Sequence, residues 1–113
     1  MKLFGIKNCD TVKKARKWLD EAGVDYEFHD FKKDGLSDAQ LSQWTQSVGW
    51  ETLLNRRGTT WRKLPDEVRD NIDAPSAHRI MLEQTSIIKR PVVEHAGEVL
   101  VGFDAAQWAD TFK

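Results

Sequence analysis

The stretch that decides the fold is KLFGIKNCDTVKKARKWLDEAGVDYEFH, which occupies residues 2–29 of a 113-residue chain. It opens with an apolar segment over Lys2–Ile6 that favours a β-strand. Apolar residues then recur at helical spacing, namely Val12, Ala15, Leu19 and Ala22. Gly23 is placed to end that helix, and Val24–His29 alternates apolar and polar side chains as a half-buried strand does. The stretch therefore predicts a βαβ unit with parallel strands.

The carboxyl-terminal part of the chain predicts two more strands and a helix. Val92-Val93 and Val99–Val101 flank the turn-forming residues His95–Glu98, a pattern typical of a β-hairpin. Asp104, with Gln107 three residues on, is expected to cap the last helix.

The middle of the chain predicts helices. Ser37 followed by Gln40 matches a capping box, and Pro65 marks a helix start. A short helix is predicted over Trp50–Leu54, and Ser76 is expected to cap a longer helix after it.

The predicted architecture is one α/β domain of thioredoxin-like fold over residues 1–113, a length that fits a single domain. Residues 1–35 and 85–113 are predicted to form its core, a four-stranded mixed sheet built in the order βαβ…ββα. Residues 36–84 are predicted to form a helical insert.

Composition limits the function classes. The formal net charge is −1, so the whole chain offers no electrostatic attraction to nucleic acid or to an anionic membrane. No apolar run approaches membrane-spanning length, and Met1–Ile6 is too short for the apolar core of a signal peptide. The chain has 1 cysteine, which excludes an internal disulfide and suits a reducing compartment. We expect a cytoplasmic protein.

Cys9 lies where the first predicted strand ends and the first helix begins. Unpaired backbone N–H groups and the positive end of the helix dipole stabilise a thiolate at such a position. Lys7, Lys13 and Lys14 add positive charge nearby, and Asp10 opposes it. This placement predicts a reactive thiol; the alternative is a small, inert core residue.

A second motif is IKRPVV at residues 88–93. A proline at the start of a strand is a position where a cis bond is tolerated, and the alternative is an ordinary edge proline. Arg90 offers a planar guanidinium to a thiolate or an oxyanion; the alternative is a solvated surface charge.

A third motif is the basic segment NRRGTTWRK at residues 55–63. Basic residues beside Trp61 are compatible with RNA binding. The two alternatives are a solvated surface loop and an anion-binding site beside Cys9. The balanced total charge argues against nucleic acid. No metal site is predicted, because the histidines and Cys9 show no ligand pair at a useful spacing.

These motifs resemble the ArsC/Spx family of thioredoxin-fold proteins, and most closely its YffB-like branch. The resemblance spans essentially the whole chain and rests on NCDT at 8–11, LLNRR at 53–57 and KRPVV at 89–93. It implies that Cys9 is the redox nucleophile and that Arg90, before a cis Pro91, lies close to it.

The resemblance also implies an anion-binding or substrate-binding set, which comprises Asn8, Thr11, Pro91 and either Arg56 or Arg57. The implied activity is a thiol-dependent reductase with glutathione as co-substrate, glutaredoxin as a further possible partner and no tightly bound cofactor. The alternatives are a non-enzymatic, Spx-like regulator that binds a protein partner such as RNA polymerase, or a weak arsenate reductase.

Two departures from the family pattern narrow the function. Val12 occupies the second position of the C-x-x-C motif that Spx-type regulators often carry, so Cys9 has no partner for an internal disulfide switch. Gly102 lies near the position where arsenate reductases carry a third arginine. We therefore expect poor arsenate chemistry.

Overall fold

A mixed sheet of four strands organises the first of two units in the chain. The strands are β1 (Lys2–Gly5), β2 (Glu27–Asp30), β3 (Val92–His95) and β4 (Glu98–Val101). Their order across the sheet is β2-β1-β3-β4. β1 runs parallel to β2 and antiparallel to β3, and β3 runs antiparallel to β4. The computed structural model thus confirms the predicted thioredoxin-like fold.

Helices occupy most of the remaining chain. Those in the described residues, 1–112, are α1 (Asp10–Glu21), α2 (Phe31–Asp34), α3 (Asp38–Val48), α4 (Trp50–Leu53), α5 (Thr59–Arg62), α6 (Asp66–Asp70), α7 (Ala74–Glu83) and α8 (Ala105–Phe112). A 3₁₀ turn covers Thr85–Ile87. Within residues 1–112, no helix combines the length and apolar character that crossing a membrane requires.

The apolar face of α1 packs as its spacing predicts. The buried residues of this cluster are Leu3, Val12, Ala15, Leu19, Val93 and Trp108. The helix ends at Glu21 with Ala22 as its C-cap, and Gly23 follows with a φ of 72°, a left-handed conformation that suits glycine. The N–H of Val24 then donates to the carbonyl of Leu19 at 3.0 Å, which closes the turn.

Gly5 lets α1 lie close to the sheet. A Cβ added at Gly5 would lie 2.7 Å from Cγ2 of Val12, which is well inside van der Waals contact. Val12 belongs to the first helical turn after Cys9. The position of that turn over β1 therefore depends on the missing side chain.

β2 begins later than the alternation of Val24–His29 predicts. Lys2, the first residue of β1, pairs with Glu27, so the chain before Glu27 has no partner residue in β1. The predicted buried face is nevertheless correct, since Val24, Tyr26 and Phe28 pack against the core cluster.

The hairpin between β3 and β4 turns at Ala96 and Gly97. Their φ values are 50° and 81°, and positive φ at both central residues is typical of a type I′ turn. The predicted cap of α8 is confirmed, since Oδ1 of Asp104 accepts from the N–H of Gln107 at 3.1 Å.

The second unit, Gly35–Lys89, is helical. Oγ of Ser37 accepts from the N–H of Gln40 at 3.1 Å and caps α3, as predicted. The prediction that Ser76 caps α7 is wrong, because Asp73 is the N-cap. Oδ1 of Asp73 accepts from the N–H of Ser76, and Oγ of Ser76 accepts from the N–H of Asp73, each at 3.0 Å.

Residues 85–89 group with the second unit, whereas residues 85–113 are predicted to belong to the core. The reason is a short antiparallel pairing in which Leu54 lies opposite Ile88. The first unit comprises Met1–Asp34 and the chain from Arg90. Lys113, the last residue of the predicted core segment, lies outside the described residues.

Candidate functional site

Cys9 is the N-cap residue of α1. Its backbone is extended, with φ −94° and ψ 126°, and its carbonyl accepts the first helical hydrogen bond from the N–H of Lys13 at 2.9 Å. The N–H of Cys9 donates to the carbonyl of Ile6 at 3.2 Å, which ties the turn to the end of β1. The thiol is partly exposed, so the position combines access with a fixed backbone.

Electrostatics at Cys9 favour the thiolate. Burial of the thiol raises its pKa, but the N–H of Val12, the Arg90 guanidinium and the N–H of Thr11 lower it by more. The pKa of Cys9 is therefore lowered from its ordinary value.

Arg90 is positioned by the register of the sheet. β3 runs antiparallel to β1 with Val92 opposite Phe4, so the residues just before β3 lie beside the carboxyl end of β1. The chain leaves β1 there and leads to Cys9. The Arg90-Pro91 bond is cis, as predicted, and Pro91 is buried.

Asp30, which is not among the predicted site residues, holds the loop that carries Cys9. Its Oδ2 accepts from the N–H of Lys7 at 3.3 Å, and its Oδ1 accepts from the N–H groups of Lys32 at 2.9 Å and Lys33 at 3.2 Å. One carboxylate thus caps α2 and fixes the loop after β1. The available signal was an aspartate at the end of a predicted strand, a residue that favours caps.

Of the other predicted site residues in this unit, Thr11 contributes its backbone N–H to the thiol. Asn8 lies in the exposed turn before Cys9, and its role stays a prediction.

Arg56 and Arg57 belong to the second unit and line one pocket. The residues that line it are Glu51, Leu54, Arg56, Arg57 and Lys89. The Arg56 guanidinium lies over two rings, 5.8 Å from the centroid of Trp50 and 5.5 Å from that of Trp61. The sequence leaves the choice between the two arginines open, and no local pattern indicates Glu51 or Lys89 as pocket residues.

The described residues include no group of three His, Cys, Asp or Glu side chains placed to hold a metal ion. The first unit carries a thiol at a helix start and an arginine that acts on it. The second unit carries a separate pocket lined by basic residues.

The fold and the cysteine–arginine pair define a thioredoxin-fold protein with a stabilised thiolate. Residues 4–111 match the sequence model of the ArsC family, so the chain belongs to the ArsC family. A solved structure of a YffB protein is similar to it, with 48% identity, a TM-score of 0.94 and coverage of 99% of this chain and 98% of that one. The structure of an arsenate reductase (ArsC) related protein from Brucella melitensis is also similar, with 55% identity and a TM-score of 0.82. The match covers 99% of this chain and 93% of that one.

Curated relatives extend the comparison to sequence. An uncharacterised protein of Haemophilus influenzae is 40% identical over 110 residues, which covers 97% of this chain and 96% of the relative. The global transcriptional regulator Spx of Streptococcus agalactiae is 28% identical over 105 residues, with 90% and 75% covered.

Proposed function

We propose that this protein is a cytoplasmic, glutathione-dependent thiol–disulfide reductase that works through Cys9 alone. The observation that carries the proposal is the placement of the only cysteine at the start of α1, where backbone amides and the Arg90 guanidinium favour the thiolate. The thiolate is the nucleophilic form of cysteine. Membership of the ArsC family supports the same class of activity.

The first step is attack on a glutathione mixed disulfide, RS–SG. The Cys9 thiolate forms a new bond to the glutathione sulfur, and the substrate leaves as RS⁻, which takes a proton from water. Arg90 stabilises the thiolate before attack, and its guanidinium is always charged. Because a low thiol pKa lowers nucleophilicity, the gain lies in the fraction of reactive thiolate at neutral pH.

The second step needs an external thiol, because the chain has 1 cysteine. The thiolate of a second glutathione attacks the Cys9–glutathione disulfide and releases oxidised glutathione and the Cys9 thiolate. The net change is RS–SG plus GSH to RSH plus GSSG, so glutathione supplies both electrons and no tightly bound cofactor is needed. Glutaredoxin is a further candidate for this step.

Mass spectrometry of the intact protein tests the proposal. After mild oxidation with glutathione present, we expect one glutathione adduct on Cys9 and turnover of a small mixed disulfide with glutathione as reductant. Cys9→Ser is expected to abolish both. Arg79→Ala, a change on the exposed part of α7, is the matched control and should leave both intact. An unmodified Cys9 together with absent turnover would reject the reductase.

A second candidate is a non-enzymatic regulator, which the similarity to Spx favours. Its partner would be a protein such as RNA polymerase. A redox-switched version would need another thiol, since Val12 stands where Spx-type regulators often carry a second cysteine. Binding of the Cys9→Ser variant to purified RNA polymerase, together with absent disulfide turnover in the wild type, would favour this candidate.

A further inference from the structure

The pocket of the second unit has an unusual mixture of charges. It is an open depression of about 470 Å³ whose charged lining residues are exposed, and its volume lies within the usual range of about 300–1,000 Å³ for small-molecule sites. Three of its lining residues are basic, namely Arg56, Arg57 and Lys89, and one is acidic, namely Glu51. Three positive charges against one negative charge leave a net charge of +2.

Two backbone hydrogen bonds join the chain segments that carry the pocket residues. The N–H of Lys89 donates to the carbonyl of Leu53 at 2.8 Å, and the N–H of Asn55 donates to the carbonyl of Ile87 at 2.8 Å. Leu54, between these bonds, is 1% exposed. The chain that carries Lys89 and the chain that leads into Arg56 are therefore fixed against each other.

Aromatic rings restrain one of the two arginines. The Arg56 guanidinium lies within cation–π range of the rings of Trp50 and Trp61. The N–H of Arg57 donates to Oδ1 of Asn55 at 3.0 Å, which fixes its backbone but leaves its exposed side chain to adjust. Arg56 therefore loses less conformational freedom than an unrestrained arginine when it binds a ligand.

The pocket charges do not neutralise one another. In the described part of the chain, Glu51 forms no ion pair with any of the three basic side chains. A carboxylate in such a pocket opposes a simple anion, because like charges repel. The combination of Glu51 with three basic side chains therefore suits a ligand that carries both a positive group and a carboxylate.

We propose that this pocket binds the α-amino-carboxylate end of a γ-glutamyl group. The ligand ammonium faces Glu51, and the carboxylate lies against Arg56 and Arg57. Lys89 adds a further positive charge for the second carboxylate of a glutathione molecule. The choice of a γ-glutamyl ligand rests on the proposed glutathione dependence, and both free glutathione and glutathione attached to a protein thiol carry this group.

Binding is tested with S-methylglutathione, which cannot react at sulfur, on the Cys9→Ser protein. The readout is the dissociation constant from ¹H–¹⁵N NMR titration, followed at the amides of Arg57 and Lys89. The matched ligand is N-acetyl-S-methylglutathione, which keeps both carboxylates and loses the ammonium charge. The variants are Glu51→Gln and its control Glu67→Gln, since Glu67 lies on α6 and does not line the pocket.

We expect N-acetylation of the ligand to weaken binding about fivefold, the effect of a solvent-exposed ion pair near the upper end of its range. Glu51→Gln should weaken binding of the parent ligand, but it should not weaken binding of the acetylated ligand, because that ligand has no ammonium group and its carboxylates are repelled by Glu51. Glu67→Gln should change neither. Equal binding of the two ligands, tighter binding of the parent ligand by Glu51→Gln, or no shift at Arg57 and Lys89 would each overturn the inference.

Two further measurements extend the test. A competition experiment distinguishes free glutathione from protein-bound glutathione, and the Cys9 assays distinguish this inference from the proposed reductase function. An S-glutathionylated peptide that competes more strongly than S-methylglutathione identifies a protein-bound source, and equal competition identifies free glutathione; failure of both to compete contradicts the inference. The adduct and turnover assays at Cys9 report on the reductase independently. Head-group binding without a Cys9 adduct would reject only the reductase, and an adduct without dependence on Glu51 would reject only this pocket.

Discussion

The backbone N–H of Gly102 donates a hydrogen bond to the carbonyl of Pro91 at 2.8 Å. Gly102 follows β4, so this bond places it beside the proline that comes directly after Arg90. The family resemblance puts a third arginine of arsenate reductases near this position. Gly102 has a φ of 83°, and a Cβ added there would meet no atom within 4 Å. Space for a side chain exists, but the backbone conformation is one that costs an ordinary residue about 1–2 kcal/mol.

Arsenate is expected to be a poor substrate. The oxyanion must lie beside a thiolate of the same charge, and loss of a single oxyanion donor typically lowers a rate about a hundredfold or more. With glutathione and glutaredoxin supplied, the wild type should reduce a small mixed disulfide and turn over arsenate only marginally. Gly102→Arg should raise arsenate turnover, whereas Gly102→Asn, which tolerates positive φ without adding charge, should not. Robust arsenate turnover by the unmodified protein would contradict this expectation.

Gly5→Ala is expected to destabilise the fold by about 1–3 kcal/mol, the usual cost of overpacking. The added methyl meets Cγ2 of Val12 at 2.7 Å, so the first turn of α1 must move. That turn carries the Val12 amide, so the pKa of Cys9 should rise as well. Urea denaturation measures the first effect, and the pH dependence of thiol alkylation measures the second.

The control for this change is Gly5→Ala combined with Val12→Ala. The two changes should be non-additive, because the smaller side chain at Val12 removes the clash. Wild-type stability in the single variant would show that α1 does not depend on the close approach at Gly5.

Stability should depend on pH through Cys9. Its folded pKa is lowered, and an unfolded cysteine titrates at about 8.5. Between these two values the unfolded chain binds more protons than the folded one, so this contribution rises with pH. It is fully present above the unfolded pKa and is lost as the pH falls through the folded pKa.

The measurement is the difference in the free energy of unfolding between the wild type and Cys9→Ser, from mildly acidic to mildly alkaline pH with a reductant present. The expected difference grows in favour of the wild type as pH rises. A difference that stays constant with pH would show that folding does not stabilise the thiolate.

Much of the fold follows from local patterns in the sequence. Gly23 after a helical apolar stripe, the strand–turn–strand pattern around Gly97, and the aspartate cap at Asp104 are all determined by neighbours within a few residues. The cis bond before Pro91 was predicted from a strand-start proline together with the family resemblance, and the structure confirms it.

The features that sequence reasoning missed depend on distant residues. The start of β2 is set by where β1 begins, and local alternation cannot show this. Asp30 binds the N–H of Lys7, 23 residues away in the chain. Glu51 and Lys89 line one pocket only because the chain at Leu54 pairs with the chain at Ile88. Asp73 and Ser76 are both residue types that favour N-caps, so residue type alone does not show which of them begins α7.

The most direct test of the account is the rate of Cys9 alkylation as a function of pH, measured for the wild type, Arg90→Ala and the control Arg79→Ala. The account predicts an inflection below the free-thiol value of about 8.5 in the wild type and in Arg79→Ala, and a higher one in Arg90→Ala. Inflections near about 8.5 in all three proteins would contradict it, because Cys9 would then be an ordinary thiol that neither the helix nor Arg90 activates.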